Sequence, residues 1–467
     1  MAKAIFVGGT GSNVGKSWMA TALCRLLARR GMRVAPFKAQ NMSNNSYPCR
    51  EGGEIGRSQV AQAEACGLEP SVLMNPVLLK PSGDSRSQVI VHGKVWRTIH
   101  ARDYYEHTPF LRREALKAYA ALASGCDIVV MEGAGSVAEI NLWGRDFTNL
   151  SLAHEVEARG LLVADIERGG VFASLLGTLD LLPPEYRALI RTFAVNRFRG
   201  DRSLFADGVS ILEQRSGLPC LGVFPFEPNL NLDAEDSLAR SSDASASPPG
   251  GEIAIIRFPR ISNTTDFALL PNAVWLERPS KSPFRFVILP GTKATIPDLD
   301  WLRQSGLAAW IVDQHRSGAT VIGICGGYQM LGETIADPQG SDGAAGFVQG
   351  LGLLPVHTEM EPDKITRTRM ARTPAGTRFS AYEIHMGRTR LLRPAPPFAC
   401  LEDGAPEGVA LDRVAGTYLH GALECPGVVA ELFGFRPGVD PKDRHYDALA
   451  DWLERYCSAP VLSGLVD

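Results

Sequence analysis

The sequence predicts two consecutive α/β domains, each built on a mainly parallel β-sheet. Three observations support this fold class. The chain opens with a short apolar strand at 4–7, a glycine-rich loop and a helical pattern that runs to Gly31, which is how a doubly wound sheet begins. Further short apolar runs alternate with helical spans along both halves. Between the halves, the stretch SSDASASPPGG is too poor in large apolar residues to pack into a core.

The positions of these runs predict the domain limits. We expect a first domain over residues 1–230, a linker over 231–251, a second domain over 252–440 and a C-terminal helical segment over 441–467. The length of 467 residues agrees with two large domains, because domains typically contain roughly 100 to 200 residues. The main predicted strands lie at 4–7, 33–38, 126–131, 161–166, 192–196, 221–224, 252–258, 273–276, 285–289 and 319–324.

The composition is typical of a globular protein that acts on small molecules. Apolar residues make up 45% of the chain, charged residues 21%, and the net charge is -3, so no basic surface predicts a nucleic-acid or membrane partner. No signal peptide follows Met1, and no apolar run approaches the roughly 20 residues needed to cross a bilayer. The nine cysteines contain no C-x-x-C pair, which argues against disulfides or zinc and favours a cytoplasmic location.

The loop GGTGSNVGKS at 8–17 is a variant of the phosphate-binding P-loop. In the common pattern G-x-x-x-x-G-K-[ST], the first glycine would stand where this chain has Thr10. The chemistry survives, because Gly15 permits close backbone approach, Lys16 can reach the β- and γ-phosphates, and Ser17 can bind Mg²⁺. A chance glycine-rich turn is the alternative. The predicted ATP-binding residues are Thr10, Gly11, Ser12, Asn13, Val14, Gly15, Lys16, Ser17 and Asn196.

Two acidic residues are predicted to join Ser17 as metal ligands. Glu132 ends a buried strand and precedes Gly133, as in nucleotide-hydrolysing folds that hold Mg²⁺ opposite the P-loop. Its alternative role is to cap the next element. Glu54 stands at the start of a helix-like segment, 55–66, and could be a second ligand. The helix dipole alone also favours an acidic residue there.

A polar cluster, KAQNMSNNS at 38–46, follows the second strand, at the edge where doubly wound sheets bind ligands. It predicts a substrate rich in carboxylates or amides, with a solvated turn as the alternative. Asp146 in a later polar loop could face the same substrate, and Asn196 could read a nucleotide base or only form a turn. The candidate substrate-binding residues are Lys38, Gln40, Asn41, Asn44, Asn45 and Asp146.

The stretch VIGICGGYQML at 321–331 predicts a nucleophile elbow. Cys325 lies between two glycines in a G-x-C-x-G pattern that joins a strand-like run to a helix-like run. A helix N-terminus there would favour the thiolate and present N–H groups to a developing oxyanion. A buried structural cysteine is the alternative. We predict Cys325 as nucleophile, with the N–H groups of Gly326 and of Gly291, in the loop LPGTK, as the oxyanion hole.

A cysteine nucleophile needs a base, and two of the nine histidines stand out. His420 lies in GTYLHG at the end of a strand-like run, and His385 lies in YEIHMG. A lone histidine is more often structural, but a histidine at a strand end downstream of an elbow cysteine is a better candidate. We therefore predict His420 as the base.

Together these motifs closely resemble the cobyric acid synthase family. The resemblance rests on GGTGSNVGKS, KAQNMSNNS, EGAGS and IERGGVFAS in the first half and on PRISNTTDF, LPGTK, GICGGYQMLG, YEIHMGRT and GTYLHG in the second. It implies a dethiobiotin synthetase-like P-loop domain followed by a class I glutamine amidotransferase domain of flavodoxin-like fold.

The resemblance also implies an activity. Members amidate the b, d, e and g side-chain carboxylates of adenosylcobyrinic acid a,c-diamide in cobalamin biosynthesis, using ATP, Mg²⁺ and L-glutamine. The alternatives are the a,c-diamide synthase of the same pathway, against which KAQNMSNNS argues, and a non-catalytic corrinoid-binding protein, which the presence of Cys325 and His420 disfavours.

One position departs from class I amidotransferases. They usually carry a glutamate two residues after the histidine, and this chain has Ala422 there. The sequence therefore predicts a cysteine–histidine pair without its orienting carboxylate. Glu424, or Glu383 together with His385, is the weak substitute that the sequence offers.

Overall fold

The structure is a computed structural model that describes residues 2–83, 85–228, 230, 252–270, 272–342, 345–438 and 442–467. The predicted linker at 231–251 lies outside the described residues. The strands of the first half are β1 (Lys3–Gly9), β2 (Val34–Phe37), β3 (Gln40–Met42), β4 (Ser46–Pro48), β5 (Glu54–Gly56), β6 (Val77–Gly83), β7 (Arg86–Val91), β8 (Lys94–His100), β9 (Ile128–Glu132), β10 (Arg159–Asp165), β11 (Ile190–Phe198) and β12 (Cys220–Pro225). Its helices are α1 (Lys16–Arg29), α2 (Arg57–Ala65), α3 (Thr108–Ala123), α4 (Leu150–Glu155), α5 (Val171–Leu181), α6 (Pro184–Arg187) and α7 (Ala206–Ser216).

The main sheet of the first half has the strand order β12-β11-β10-β1-β9-β2, and all of its pairings are parallel. Because parallel strands end at the same edge of a sheet, the loop after β1 and the end of β9 are neighbours. Val7 of β1 pairs with Glu132 of β9. This register brings Glu132 to the glycine-rich loop.

Two small sheets, β3-β6-β7-β8 and β4-β5, are inserted between β2 and α3. The prediction that Glu54 begins a helix is wrong, because Glu54 lies in β5 and α2 begins at Arg57. The pairing of Ser46–Pro48 with Glu54–Gly56 overrides the local helical pattern. Glu54 is therefore held by a strand at the boundary between the two halves.

The second half forms another α/β domain. Its main sheet has the order β14-β13-β15-β16-β24-β23, parallel except for the β23–β24 pair, and a long β19–β20 hairpin belongs to a separate sheet. The strands are β13 (Ile253–Ile256), β14 (Val274–Leu276), β15 (Phe286–Leu289), β16 (Thr320–Ile324), β17 (Thr334–Asp337), β18 (Gly346–Gln349), β19 (Val356–Arg372), β20 (Arg378–Leu391), β21 (Ala399–Leu401), β22 (Pro406–Glu407), β23 (Val409–Leu411) and β24 (Val414–Thr417). The helices are α8 (Thr295–Gln304), α9 (Leu307–Arg316), α10 (Gly326–Leu331) and α11 (Pro426–Phe433).

The C-terminal helices α12 (Lys442–Tyr456) and α13 (Ala459–Val466) pack against the first half of the chain. The ring of Trp452 lies 4.8 Å from that of Phe224 and 6.1 Å from that of Trp18. Arg25 of α1 forms an ion pair with Asp447 of α12 at 2.8 Å. The end of the chain therefore completes the core of the first domain.

Two global features complete the fold. Within the described residues, every helix is too short or too polar to traverse a bilayer. All nine cysteines are free thiols.

Candidate functional site

Cys325 occupies a strained turn between β16 and α10. Its φ is 52° and its ψ is -108°, a conformation that L-residues rarely adopt and that occurs mostly at functional sites. The two flanking positions must be glycine because a side chain at either one would collide with the neighbouring backbone. A Cβ atom on Gly323 would lie 2.7 Å from the Gly327 carbonyl oxygen, and one on Gly327 would lie 2.0 Å from that of Leu289. The G-x-C-x-G spacing therefore forms an elbow.

The strand β24 brings His420 to this elbow. Strand β16 pairs with β24, and the Cys325 N–H donates to the Thr417 carbonyl at 2.8 Å. His420 follows three residues later and is fully buried, and its Nε2 has no hydrogen-bond partner among the described residues. A Cβ atom on Gly291 would lie 2.8 Å from His420 Cε1. The structure thus brings together the predicted nucleophile, the predicted base and the LPGTK loop.

The predicted oxyanion donors lie side by side. A Cβ atom on Gly326 would be 3.1 Å from the Thr292 nitrogen, so the LPGTK loop packs directly on the elbow. In the part of the chain that the structure describes, neither the Gly291 nor the Gly326 N–H donates a hydrogen bond. Two N–H groups are therefore available to an oxyanion beside Cys325.

Asp266 orients His420, so the expectation of a pair without a carboxylate is wrong. Its Oδ2 lies 2.7 Å from His420 Nδ1, and its Oδ1 accepts from the Gly421 N–H at 2.6 Å. Asp266 is fully buried in a 3₁₀ turn, Thr264–Phe267, after β13. The carboxylate fixes the proton on Nδ1 and leaves Nε2 to exchange protons.

The environment of His420 keeps its imidazole charged. Burial alone would lower the pKa of His420, but the charge of Asp266 and its hydrogen bond outweigh burial and raise that pKa to about 10, with the Cys325 sulfur contributing. His420 is therefore protonated at neutral pH. An imidazolium beside Cys325 stabilises a thiolate and can donate a proton to a leaving amine.

The carboxylates that the sequence offered as substitutes have other partners. Glu424 accepts from Arg57 at 3.0 and 3.1 Å. Glu383 forms ion pairs with Arg367 and Arg369, while His385 Nδ1 pairs with the Gly387 carbonyl at 2.8 Å. The idea that these groups orient His420 is therefore wrong.

The glycine-rich loop of the first half has the geometry of a phosphate cradle. Gly15 adopts φ 101°, and a Cβ atom there would lie 2.0 Å from Asn196 Nδ2. Asn196 donates from that nitrogen to the Val14 carbonyl at 2.9 Å, so it supports the loop, and its reading of a base stays a prediction. Lys16 Nζ donates to the carbonyls of Gly11 and Gly135, each at 2.9 Å. The lysine thereby spans the loop where phosphates would lie.

Ser17 and Glu132 meet at the edge of this loop. Glu132 accepts from Ser17 Oγ and from Lys38 Nζ, each at 2.9 Å, and from Gln62 Nε2 at 2.5 Å. Burial opposes ionisation, but Lys38 and the hydrogen bonds lower the pKa of Glu132 below its usual range. A charged carboxylate beside a serine hydroxyl fits Mg²⁺, which takes one or two protein oxygens together with phosphate oxygens.

Glu54 is not part of this cluster. It accepts from Ser46 Oγ and from Lys80 Nζ, each at 2.6 Å, and it forms an ion pair with Lys364 of β19. Burial opposes ionisation, but the two lysines hold the pKa of Glu54 well below its usual range. The structure therefore does not bring Glu54 together with Ser17 and Glu132, and its carboxylate serves the domain boundary.

The predicted substrate residues divide into two groups. Asn41 is buried and donates to Gln59 at 2.8 Å, so its amide is structural. Asn45 is also buried and accepts from the Asn263 N–H at 2.7 Å. Lys38 faces Glu132, Gln40 accepts from the Tyr104 hydroxyl, and Asp146 accepts from the Thr148 N–H at 2.7 Å. For these last three, contact with substrate stays a prediction.

The two halves meet beside Cys325. Asn45 and Ser46 of the first half hold Asn263 of the second, whose side chain accepts from the Ser46 N–H at 3.1 Å. Asn263 has a φ of 55° and begins the turn that carries Asp266. The pocket at Cys325 is lined by residues of both halves, including Asn44 and Lys80 of the first. Asp266 lies in the motif PRISNTTDF, but its separation of 154 residues from His420 gives no sequence signal of their pairing.

Two family models match the chain. A CobQ/CobB/MinD/ParA nucleotide binding domain matches residues 5–238, and a CobB/CobQ-like glutamine amidotransferase domain matches residues 252–427. The cobyric acid synthase of Dehalococcoides mccartyi (strain CBDB1) is 48% identical over 97% of this chain and 96% of its own length. The chain belongs to the cobyric acid synthase family. The relative from Rhodococcus jostii (strain RHA1) is 47% identical over 90% of this chain and 84% of its own.

Membership of the cobyric acid synthase family confirms the predicted fold class, a P-loop domain followed by a glutamine amidotransferase domain. It also confirms the predicted enzyme class, a glutamine-dependent amidating ligase of cobalamin biosynthesis. The first domain is a nucleotide-binding domain.

Proposed function

We propose that this ligase transfers the amide nitrogen of L-glutamine to the b, d, e and g carboxylates of adenosylcobyrinic acid a,c-diamide, with ATP as the energy source. The observation that carries the proposal is the pocket at Cys325, which the nucleotide-binding domain helps to line. A nucleotide-binding half and a glutaminase half that share a pocket wall suit a reaction in which ammonia made in one is used in the other.

In the glutaminase half, Cys325 attacks the glutamine carboxamide, and the N–H groups of Gly291 and Gly326 bind the oxyanion. His420 donates its Nε2 proton to the departing nitrogen, which leaves as ammonia. The neutral imidazole then takes a proton from water, whose oxygen attacks the thioester. Glutamate is released and the Cys325 sulfur is restored, while Asp266 holds the ring throughout.

In the nucleotide-binding half, a substrate carboxylate attacks the γ-phosphorus of ATP, and ADP leaves. Lys16 neutralises charge on the transferred phosphoryl group. Ser17 and Glu132 would hold Mg²⁺, which adds positive charge at the phosphates when bound. Ammonia attacks the acyl phosphate carbonyl, phosphate leaves, and the amide forms. Activation is required because a carboxylate is a poor electrophile.

We propose Lys38, Gln40 and Asp146 as contacts of the corrinoid. Lys38 pairs with Glu132 at the end of β9, and Gln40 begins β3 two residues after Lys38. We propose a cytoplasmic location, which the free thiols support because disulfides are rare in reducing compartments.

The direct test is incubation with ATP, Mg²⁺, glutamine and the a,c-diamide, followed by mass spectrometry of the corrinoid. Four carboxylate-to-amide conversions are expected. Conversion of the a and c carboxylates of cobyrinic acid instead would identify the earlier diamide synthase. If the corrinoid is not converted and no glutamate is released, the proposed amidating activity is refuted. Cys325→Ala should lose glutamate release and keep amidation with ammonium chloride.

A further inference from the structure

The pocket at Cys325 contains charges that the amide chemistry does not use. It encloses about 520 Å³ including its open mouth, and the charged side chains along it are Lys80, Lys293, Lys364 and Asp342. Amide hydrolysis at Cys325 uses His420 and its partner Asp266, and neither is among these charged side chains. These charges therefore serve something other than the thiol chemistry.

Lys293 is the cation left without an anion. Lys80 and Lys364 both bind the carboxylate of Glu54. Within the described residues, the Lys293 ammonium forms no hydrogen bond or ion pair. Burial and the nearby charge of Lys364 lower the pKa of Lys293 to about 8. Lys293 is half-buried, and a partly desolvated ammonium without a partner is stabilised when an anion pairs with it.

Asp342 supplies the opposite charge in the same pocket. Its Oδ2 accepts from the Ile296 N–H at 2.7 Å, at the start of α8. Burial raises the pKa of Asp342 to about 7, and the charge of Lys293 opposes that rise. No ion pair joins Asp342 to Lys293 in the described structure, so the two charges stand apart. An arrangement of one open cation and one carboxylate is complementary to a zwitterion.

The other charged groups of the pocket are paired with one another. Lys80 and Lys364 both bind Glu54, so among the described residues Lys293 and Asp342 are the charged groups of this pocket without an ion pair. His385 also lines the pocket; it is buried, and its Nε2 lies 4.0 Å from Glu383 Oε1. The pocket is therefore a polar site built for a charged ligand.

We propose that Lys293 binds the α-carboxylate of the donor glutamine and that Asp342 binds its α-ammonium group. The proposal rests on the proposed glutaminase function of Cys325. Lys293 stands two residues after Gly291 on one loop, so the loop that holds the carboxylate also carries an oxyanion donor. Binding the head group through this loop sets the γ-carbonyl against the Gly291 N–H and excludes free primary amides, which lack both charges.

The test compares substrates that lack one charge. γ-Aminobutyramide is glutamine without its α-carboxylate, and glutaramate is glutamine without its α-ammonium group. Lys293→Met should lower kcat/KM for glutamine on the order of 100-fold, because it removes one partner of a desolvated ion pair. With γ-aminobutyramide, the variant and the unsubstituted enzyme should agree within about threefold, since that pair cannot form. Asp342→Asn should likewise lower kcat/KM for glutamine on the order of 100-fold and should leave kcat/KM for glutaramate within about threefold of that of the unsubstituted enzyme.

Controls separate this proposal from a structural role. Lys293→Arg should retain part of the kcat/KM for glutamine that Lys293→Met loses. Lys281→Met, at an exposed lysine of the same domain, should leave kcat/KM for glutamine unchanged. Amidation with ammonium chloride should persist in Lys293→Met. An equal loss on glutamine and γ-aminobutyramide in Lys293→Met would overturn the proposal, as would an unchanged kcat/KM for glutamine. Absence of glutamate release from the unsubstituted enzyme would instead overturn the glutaminase function itself.

Discussion

Asp266→Asn is the substitution that most directly probes the glutaminase. An asparagine can still accept from the Gly421 N–H through its oxygen, as Asp266 does at 2.6 Å. Its NH₂ group would then face His420 Nδ1, where a carboxylate oxygen now lies at 2.7 Å. The ring must turn or move its proton to Nε2, so Nε2 loses its role in proton transfer.

The size of the effect follows from the buried pair. The rise in the pKa of His420 from 6.5 to about 10 corresponds to on the order of 5 kcal/mol, and removing one partner of a buried ion pair generally costs about 3–5 kcal/mol. If the loss of the pair raises the activation free energy of the rate-limiting step by roughly 3 kcal/mol, the rate of glutamate release falls about 100-fold. Without Asp266, burial lowers the pKa of His420, and the imidazole becomes neutral at pH 7.

The assay is glutamate release across pH 6 to 8, with ammonium-dependent amidation measured in parallel. In the unsubstituted enzyme, the rate of glutamate release should not change through titration of His420 in this pH range. In Asp266→Asn, the rate should rise as the pH falls, because the imidazole regains its proton. Glu424→Gln is the matched carboxylate-to-amide control and should stay within about threefold, because Glu424 binds Arg57 and not His420. A rate for Asp266→Asn equal to that of the control would refute the role of Asp266, and a loss of ammonium-dependent amidation would indicate misfolding.

Three further substitutions have expected outcomes. Gly15→Ala should weaken ATP binding at least tenfold by calorimetry, because a φ of 101° alone costs an L-residue roughly 1–2 kcal/mol and the new Cβ would overlap Asn196. The control is Gly31→Ala, at φ 82° with open space around it, which should bind ATP normally. Equal ATP affinities of the two variants would contradict the steric argument. Arg57→Met should lower the free energy of unfolding by about 2–3 kcal/mol in urea, since Arg57 is buried and Glu424 partly exposed; an unchanged midpoint would mean that the pair adds no stability. Burial raises the pKa of Glu407 from 4.5 to about 7. The contribution of its protonated carboxyl to the free energy of unfolding is therefore fully present below pH 4.5 and is lost as the pH rises through 7, on the order of 3 kcal/mol in all. Glu407→Gln should flatten this fall of the unfolding free energy with pH, and an identical pH slope in the variant would refute the assignment.

Local patterns in the sequence were sufficient wherever a short motif dictates its own geometry. Cys325, Gly15 and Glu132 each lie in a short glycine-containing motif that follows or ends a strand. Asp266 could not be found in this way, because it meets His420 across 154 residues of chain and no spacing rule connects them. The sequence offers Glu54 as a possible metal ligand at the start of a helix-like segment, 55–66. A three-residue strand pairing, formed only in the folded protein, instead directs Glu54 towards Lys80 and Lys364.

The contact of Asn45 and Ser46 with Asn263 has a consequence for what each half can do alone. Asn263 adopts a left-handed conformation, and its two described partners across the boundary both come from the nucleotide-binding half. The acid that orients His420 therefore depends on a neighbour that a free glutaminase domain would not have. We therefore expect a glutaminase domain expressed without the first half to hold Asp266 less accurately and to release glutamate more slowly than the full chain.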